Sequence, residues 1–245
     1  MKILVCISHV PDTTSKINFT DNFTKFDTTG VQFIIGPYDD YALARAIELK
    51  ESTGATVSVI NVGLVETEPT LRKALAIGAD DAIRVNAEPS DSFFVAEQIA
   101  AQAKAISYDL ILMGRESIDY NSGVVHGIVG ELLSWPSVSP VMKLEIDGNK
   151  AKLVREIEGG KESLEVNLPF VAGCQEPIAE WKIPNMRGIM SARTKPLKVV
   201  DAVSADGGVK LSKFELPPPK GSVKMIAADN VAELVRLLKN EAKVL

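Results

Sequence analysis

The sequence lacks most of the features that would assign it a chemistry directly. It holds two cysteines in 245 residues, Cys6 and Cys174. They lie far apart and form no C-x-x-C pair, which excludes a disulfide framework and a thiolate metal site and fits a reducing cytoplasm. No apolar run approaches the ~20 residues of a membrane span, so the chain is not expected to be membrane-embedded. The opening "MKILVCISHV" alternates and stops at "PDTTSK" without a small-residue cleavage site, and reads as a first strand rather than a secretion signal. Excess basic charge is also absent. A net charge of −5 and a pI near 5.2 argue against a general nucleic-acid binder, whose affinity rests on neutralising phosphates. Neither G-x-G-x-x-G nor a Lys-containing phosphate loop occurs, so neither of those mechanisms applies. No acid, base and nucleophile constellation is legible, and no catalytic residue or metal ligand is assigned.

What is present is ordinary soluble composition, 46% hydrophobic and 24% charged, in a chain long enough for one large domain or a domain with a substantial appendage. The first half alternates apolar strands with helical patterns, the signature of a mainly parallel sheet covered on both faces. Four strands are predicted, at 2–7, 56–62, 81–85 and 109–114, each too continuously aliphatic for a half-solvated sheet. Between them run apolar stripes of helical period: Leu43, Ala46 and Ile47; then Val95, Ile99, Ala103 and Ile106; then Val125, Ile128, Val129 and Leu132. Asp91 or Ser92 caps the second of these helices. After Trp135 and Pro136 strand alternation returns, with turns at Asp147–Gly148 and Gly159–Gly160, and predicts an antiparallel extension. Little periodicity is visible from Cys174 to Lys198. "LPPPKG" (216–221) then breaks the chain before a last helix at 229–243 with a stripe of Val231, Leu234, Val235 and Leu238. That stripe packs either on its own domain or on a partner subunit.

The stretch "LILMGRESIDYNSGVVHGIVGELLSWP" (110–136) passes from a strand through a polar turn straight into an amphipathic helix. Gly114, Asp119, Asn121, Ser122 and Gly123 in that turn suit an anion, because backbone N–H groups point outward at a helix N-terminus. Capped strand-to-helix turns are common, so the turn alone is a weak signal.

Several phrases together resemble the β subunit of electron transfer flavoprotein: "HVPDTTSKI" (9–17), "IGPYDDYALARAIELKE" (35–51), "ALAIGADDAIRV" (74–85), "LVREIEGGKESLEVNLPFV" (153–171) and "GIMSARTKPL" (188–197). They span nearly the whole chain. The resemblance implies an adenine nucleotide α-hydrolase-like α/β fold, with a mainly parallel nucleotide-binding sheet, an antiparallel extension and a C-terminal arm that docks on the α subunit. It implies a domain over 1–200 that binds AMP, including the extension at 138–173 and a recognition loop at 174–198, followed by the arm at 201–245. The family's α subunit holds the redox-active FAD in a heterodimer, while the β subunit holds an AMP that does no redox chemistry.

Carried over by position, the AMP site comprises Cys6; Gly36, Pro37, Tyr38 and Asp39; Val62; and Gly114, Arg115, Glu116, Ser117, Ile118, Asp119, Tyr120, Asn121, Ser122, Gly123, Val124 and Val125. Relatives commonly carry Gln and Gly where this chain has Val124 and His126, and Lys where it has Ser8. His126 reads as a solvated surface residue, with a cationic contact to phosphate as the other option. The segment "KIPNMRGIMSARTKPLK" (182–198) has five basic residues and no acidic ones. By resemblance it docks acyl-CoA and other dehydrogenases, with Met186 as apolar anchor and Arg187, Ile189, Arg193 and Lys195 around it; Arg155 and Glu156 read as cross-strand surface charges or, by resemblance, belong near the α interface and the partner's approach. The implied function is electron transport in fatty acid β-oxidation: a carrier subunit without its own catalysis, whose FAD passes electrons to a membrane quinone oxidoreductase. One alternative within the family is a flavin-bifurcating version, in which the β subunit binds a second FAD. Another is a free-standing ATP-binding protein of the same fold. "SHVPDT" after the first strand weighs against the second, since an ATP pyrophosphatase would show a Ser-Gly-Gly-rich loop there.

Overall fold

The computed structural model describes residues 1–245. The chain begins with β1 (Lys2–Cys6), β2 (His9–Pro11), the short hairpin strands β3 (Phe19–Thr20) and β4 (Lys25–Phe26), and β5 (Phe33–Ile35). Helices and strands then alternate through α1 (Pro37–Thr53), β6 (Thr56–Val62), α2 (Glu68–Ile77), β7 (Asp81–Asn86), α3 (Ser92–Ile106), β8 (Leu110–Gly114) and α4 (Val125–Leu133). A meander of β9 (Ser137–Asp147), β10 (Lys150–Ile157) and β11 (Gly160–Asn167) leads into β12 (Phe170–Cys174). The chain ends with α5 (Met186–Ala192), β13 (Leu197–Asp201) and, after a long irregular stretch, α6 (Val231–Asn240).

Nine strands form one sheet in the order β11-β10-β9-β12-β8-β1-β6-β7-β13. Every pairing from β9 to β13 is parallel, and β10 and β11 add antiparallel at one end. The aliphatic runs give this result because strands with helices on both faces must be apolar on both sides. In β1, Ile3 and Val5 join a core with α1 and α2, whereas Leu4 and Cys6 join a second core with α3 and α4. Asp91 is the residue that caps α3, its carboxylate accepting the Phe94 N–H at 2.7 Å, while the Ser92 hydroxyl turns to Ser122.

Two segments differ from the sequence reading. Within 138–173, β9 to β11 pair antiparallel with one another, but β12 lies parallel between β8 and β9 in the middle of the sheet. "FVAGC" is buried along its whole length, and the alternating pattern just upstream concealed this central strand. Between 174 and 201, α5 is too short to show a periodic stripe, and β13 is an edge strand with mixed exposure paired to β7.

Beyond β13 the chain keeps a few specific ties. Val203 exchanges hydrogen bonds with Gln98 at 2.7 and 3.0 Å, and Phe214 stacks on Phe19 with ring centroids 4.5 Å apart. In α6, Leu237 is buried, whereas Val231, Leu234 and Val235 of the predicted stripe are exposed. No helix is long and apolar enough to cross a membrane.

Candidate functional site

From β1 the chain steps to β6 and β7, then returns to the other side of β1 as β8. The order therefore reverses between β1 and β8, and open α/β sheets bind ligands in the crevice outside the carboxyl ends of such a pair. Ser8, just past β1, and Gly114, the last residue of β8, border this crevice, and the N-terminus of α1 reaches into it.

Asp39 joins the three elements. Its carboxylate accepts from the Ser8 N–H at 2.8 Å, from the Ser8 hydroxyl and from the Gly114 N–H at 2.7 Å. Both oxygens are therefore engaged by protein, and only 6% of the residue is exposed. Burial outweighs these hydrogen bonds and pushes its carboxyl up to about 6. Asp40, its neighbour, is also raised to about 6 by burial, opposed by the Lys73 charge. Glycine at 114 is required by close approach rather than by dihedral. A Cβ there would sit 2.7 Å from Asp39 Oδ1, 2.7 Å from Tyr38 Cβ and 3.1 Å from the Asp39 nitrogen.

After Gly114 the turn folds on itself. Ser117 and Ser122 form an antiparallel bridge, Asp119 accepts from the Ser117 hydroxyl and the Tyr120 N–H, and Asn121 takes a left-handed φ of 51°. Such a conformation suits Asn. The Ser92 and Ser122 hydroxyls lie 2.6 Å apart and tether the turn to α3. Val124 precedes α4 and offers no side-chain cap, so the first-turn N–H groups of α4 keep their donor capacity beside an exposed Gly123. Arg115 lies across the crevice, its guanidinium carbon 5.2 Å from the Tyr38 ring centroid.

The turn brings most of the sequence-assigned residues together in different environments. Cys6 and Val62, each 6% exposed, pack into the α3–α4 core at the carboxyl ends of adjacent strands. Burial, with the Asp39 charge added, raises the Cys6 thiol well above its ordinary range, so it stays a neutral thiol. Gly36 is buried, and Pro37, Tyr38, Arg115, Glu116, Ser117, Ile118, Ser122 and Val125 are half-buried. Asp119, Tyr120, Asn121, Gly123 and Val124 are exposed at the rim. An uncapped helix start beside exposed Gly123 and a partly exposed guanidinium over the Tyr38 ring suit an anionic group such as phosphate.

Two assignments change. His126 is half-buried, with Nδ1 3.3 Å from the Ser137 hydroxyl and its ring against Gly173. Burial lowers its pKa from the ordinary imidazole value, which disfavours the phosphate-cation option, and its ring packs against Gly173 rather than standing free in solvent. Lys195 is not a free docking charge, because its ammonium donates to the carbonyls of Leu75 at 2.9 Å and Ala79 at 2.6 Å, at the end of α2. Glu156 accepts from Gln175, and Arg155 pairs across the strands with Glu162 at 2.6 Å. Gln175 and Ser8 were not assigned to the site from sequence. Ser8 stood only as a departure from the family's Lys and Gln175 only within the segment 174–198; the fold places Gln175, just after β12, beside Arg115.

Around α5, Met186 and Ile183 are each 74% exposed, and Arg187, Ile189 and Arg193 are exposed with them. The helix rests on α2 through Gly188, where a Cβ would collide with the Ala76 carbonyl. Arg72 fixes the segment's far end by donating to the carbonyls of Ala192 and Lys195, both at 2.8 Å.

Comparison with known proteins agrees with this architecture. The profile of the electron transfer flavoprotein domain matches residues 24–205. The chain is 36% identical to electron transfer flavoprotein subunit beta of Bacillus subtilis over the full length of both. It is 36% identical to that of Syntrophomonas wolfei, covering 100% of this chain and 98% of the relative, and 31% identical to that of Bradyrhizobium diazoefficiens over the full length of both. With a matching domain profile, full-length relatives and a mainly parallel sheet that reverses at β1 and β8, the chain belongs to the electron transfer flavoprotein family, among its beta subunits.

Proposed function

We propose that this chain works as the β subunit of a heterodimeric electron carrier and seats a structural AMP at the β1–β8 crevice. The observation that carries this reading is the Asp39 clamp, which holds Ser8 and Gly114 together at the carboxyl ends of β1 and β8, beside a turn whose helix α4 starts without a side-chain cap next to exposed Gly123. The α subunit holds most of the FAD, which supplies the redox chemistry when bound. This chain's residues bind and orient: the turn holds the nucleotide phosphate, and the arm at 201–245 covers part of the α subunit with the open face of α6. The segment around Met186 receives acyl-CoA and other dehydrogenases, and the assembled carrier delivers electrons to a membrane quinone oxidoreductase.

Co-expression with the α subunit, followed by release and counting of bound nucleotides, tests the reading. One AMP and one FAD per heterodimer is the expected result. Two FAD and no AMP would assign the flavin-bifurcating arrangement. A chain that is stable alone, needs no flavin partner and binds ATP would overturn the carrier reading altogether.

A further inference from the structure

Gln175 is the least expected polar residue near the crevice. It is 6% exposed, and its backbone N–H is held by the Val141 carbonyl at 2.9 Å. Its side-chain oxygen accepts from Arg115 Nη1 at 2.8 Å, and its side-chain nitrogen donates to Glu156 Oε2 at 2.6 Å. A buried amide with both ends satisfied holds one orientation, since reversal would set a donor against the guanidinium and an acceptor against the carboxylate.

Arg115 is correspondingly restrained on several sides. Its backbone N–H donates to the Cys174 carbonyl at 2.9 Å, its guanidinium lies over Tyr38, and Nη2 reaches Glu116 at 3.3 Å. Of the five N–H donors on a guanidinium, two are engaged by Gln175 and Glu116, and the rest find no acceptor in the protein. The side chain keeps 35% of its surface exposed. A cation with free donors, fixed over an aromatic ring at the carboxyl end of β8, is arranged for an anionic ligand atom.

We infer that Gln175 is a positioning residue for the nucleotide phosphate: it holds the Arg115 guanidinium over Tyr38 and links that charge to Glu156 on β10. The inference rests on the proposed nucleotide site and adds residues that motif reading left out. It also gives Glu156 a second role besides partner contact. Glu156 accepts from the amide, the amide accepts from the guanidinium, and each hydrogen bond polarises the next. The nucleotide crevice and the β10–β11 ribbon are thereby joined by one polar chain.

The test is calorimetric titration of the full-length chain, freed of nucleotide, with AMP and separately with adenosine, which lacks the phosphate. Gln175→Leu removes the acceptor and should weaken AMP ~5- to 20-fold while leaving adenosine unchanged, the scale of one charge-assisted hydrogen bond. Glu156→Ala, at an exposed position where folding is not at stake, should weaken AMP ~2- to 3-fold. Glu156→Gln retains an acceptor for the Gln175 amide and should restore binding. In an Arg115→Met background, Gln175→Leu should have no further effect on AMP. Equal losses for AMP and adenosine would mark Gln175 as merely structural and overturn the inference. Unchanged AMP affinity in both Gln175→Leu and Glu156→Ala would overturn it while the nucleotide reading stood. A parent chain that bound neither ligand would overturn both.

Discussion

The carboxylate of Asp39 accepts the backbone N–H of Gly114 at 2.7 Å, tying the first turn of α1 to the carboxyl end of β8. Because burial pushes its carboxyl up to about 6 in the fold from an ordinary value of 3.8, the unfolded chain ionises first as pH rises. Stability from this group is therefore greatest below about pH 4, is lost between about 4 and 6, and is constant above, with a span of about 3 kcal/mol. Asp39→Asn should flatten that part of the profile, and Asp40→Asn should flatten a second part of the same sign. Urea unfolding at pH 4.5 and 7 measures both. Asp39→Ala should cost about 2–4 kcal/mol at pH 4.5, because buried N–H groups lose their acceptor, and about 2 kcal/mol less at pH 7, where the variant also removes a buried charge.

Gly114 and Gly123 should respond differently to an added side chain. At Gly114 a Cβ meets Asp39 and Tyr38 at 2.7 Å, so Gly114→Ala should destabilise by about 1–3 kcal/mol and disturb the crevice. At Gly123 the nearest atom is the Arg115 carbonyl oxygen at 3.4 Å, and no left-handed φ penalises substitution. Gly123→Val should keep the melting temperature and lower AMP affinity. Thermal melts alongside AMP titration separate the two effects.

In the docking segment, truncating the apolar anchor and removing charges should differ in salt dependence. Met186→Ala, at a side chain 74% exposed, should slow reduction by the dehydrogenase at every ionic strength, by about 1–4 kcal/mol in the docking step. Removing Arg187 or Arg193 should act on encounter rate and fade with salt. Steady-state reduction across a salt series, at constant flavin content, provides the comparison. If Met186→Ala reacted like the parent, Ile183, equally exposed, would be the anchor to test.

Lys195 should behave as a structural residue. Its ammonium serves the Leu75 and Ala79 carbonyls at the end of α2, where a cation also meets the helix dipole. Lys195→Met should lower stability by about 1–2 kcal/mol and leave the salt dependence of electron transfer unaltered. Denaturation and the same salt series check each half.

Deleting residues 229–245 should leave the sheet domain folded and weaken assembly with the α subunit. Most of α6 is exposed, with Leu237 as its buried residue, while the nine-stranded sheet draws on no residue beyond Asp201. Circular dichroism reports the fold, and titration with the α subunit reports assembly. Unchanged affinity would remove the docking role from the arm.

Some of this protein was settled by local sequence alone. The strands read at 56–62 and 109–114, found at 56–62 and 110–114, and the helix stripes around Leu43, Ile99 and Val129 are legible because burial on both faces of a parallel sheet demands continuous apolar runs, and helices against it demand a stripe. The glycine turn after β8 was visible for the same local reason. Tertiary structure decided the rest, because it depends on which distant residues meet. Phe170–Cys174 became a central parallel strand through its partners β8 and β9, and Lys195 lost its role as a free charge because α5 folds back onto α2. His126 is half-buried, with its pKa lowered by burial, because Gly173, on β12, leaves room for its ring. Gln175 carries no motif, yet the sheet order sets it between Arg115 and Glu156, residues separated from it by 60 and 19 positions in the chain. Periodicity reports whether a side chain is buried. The identity of the group it is buried against comes from contacts distant in sequence, and those exist only once the sheet is assembled.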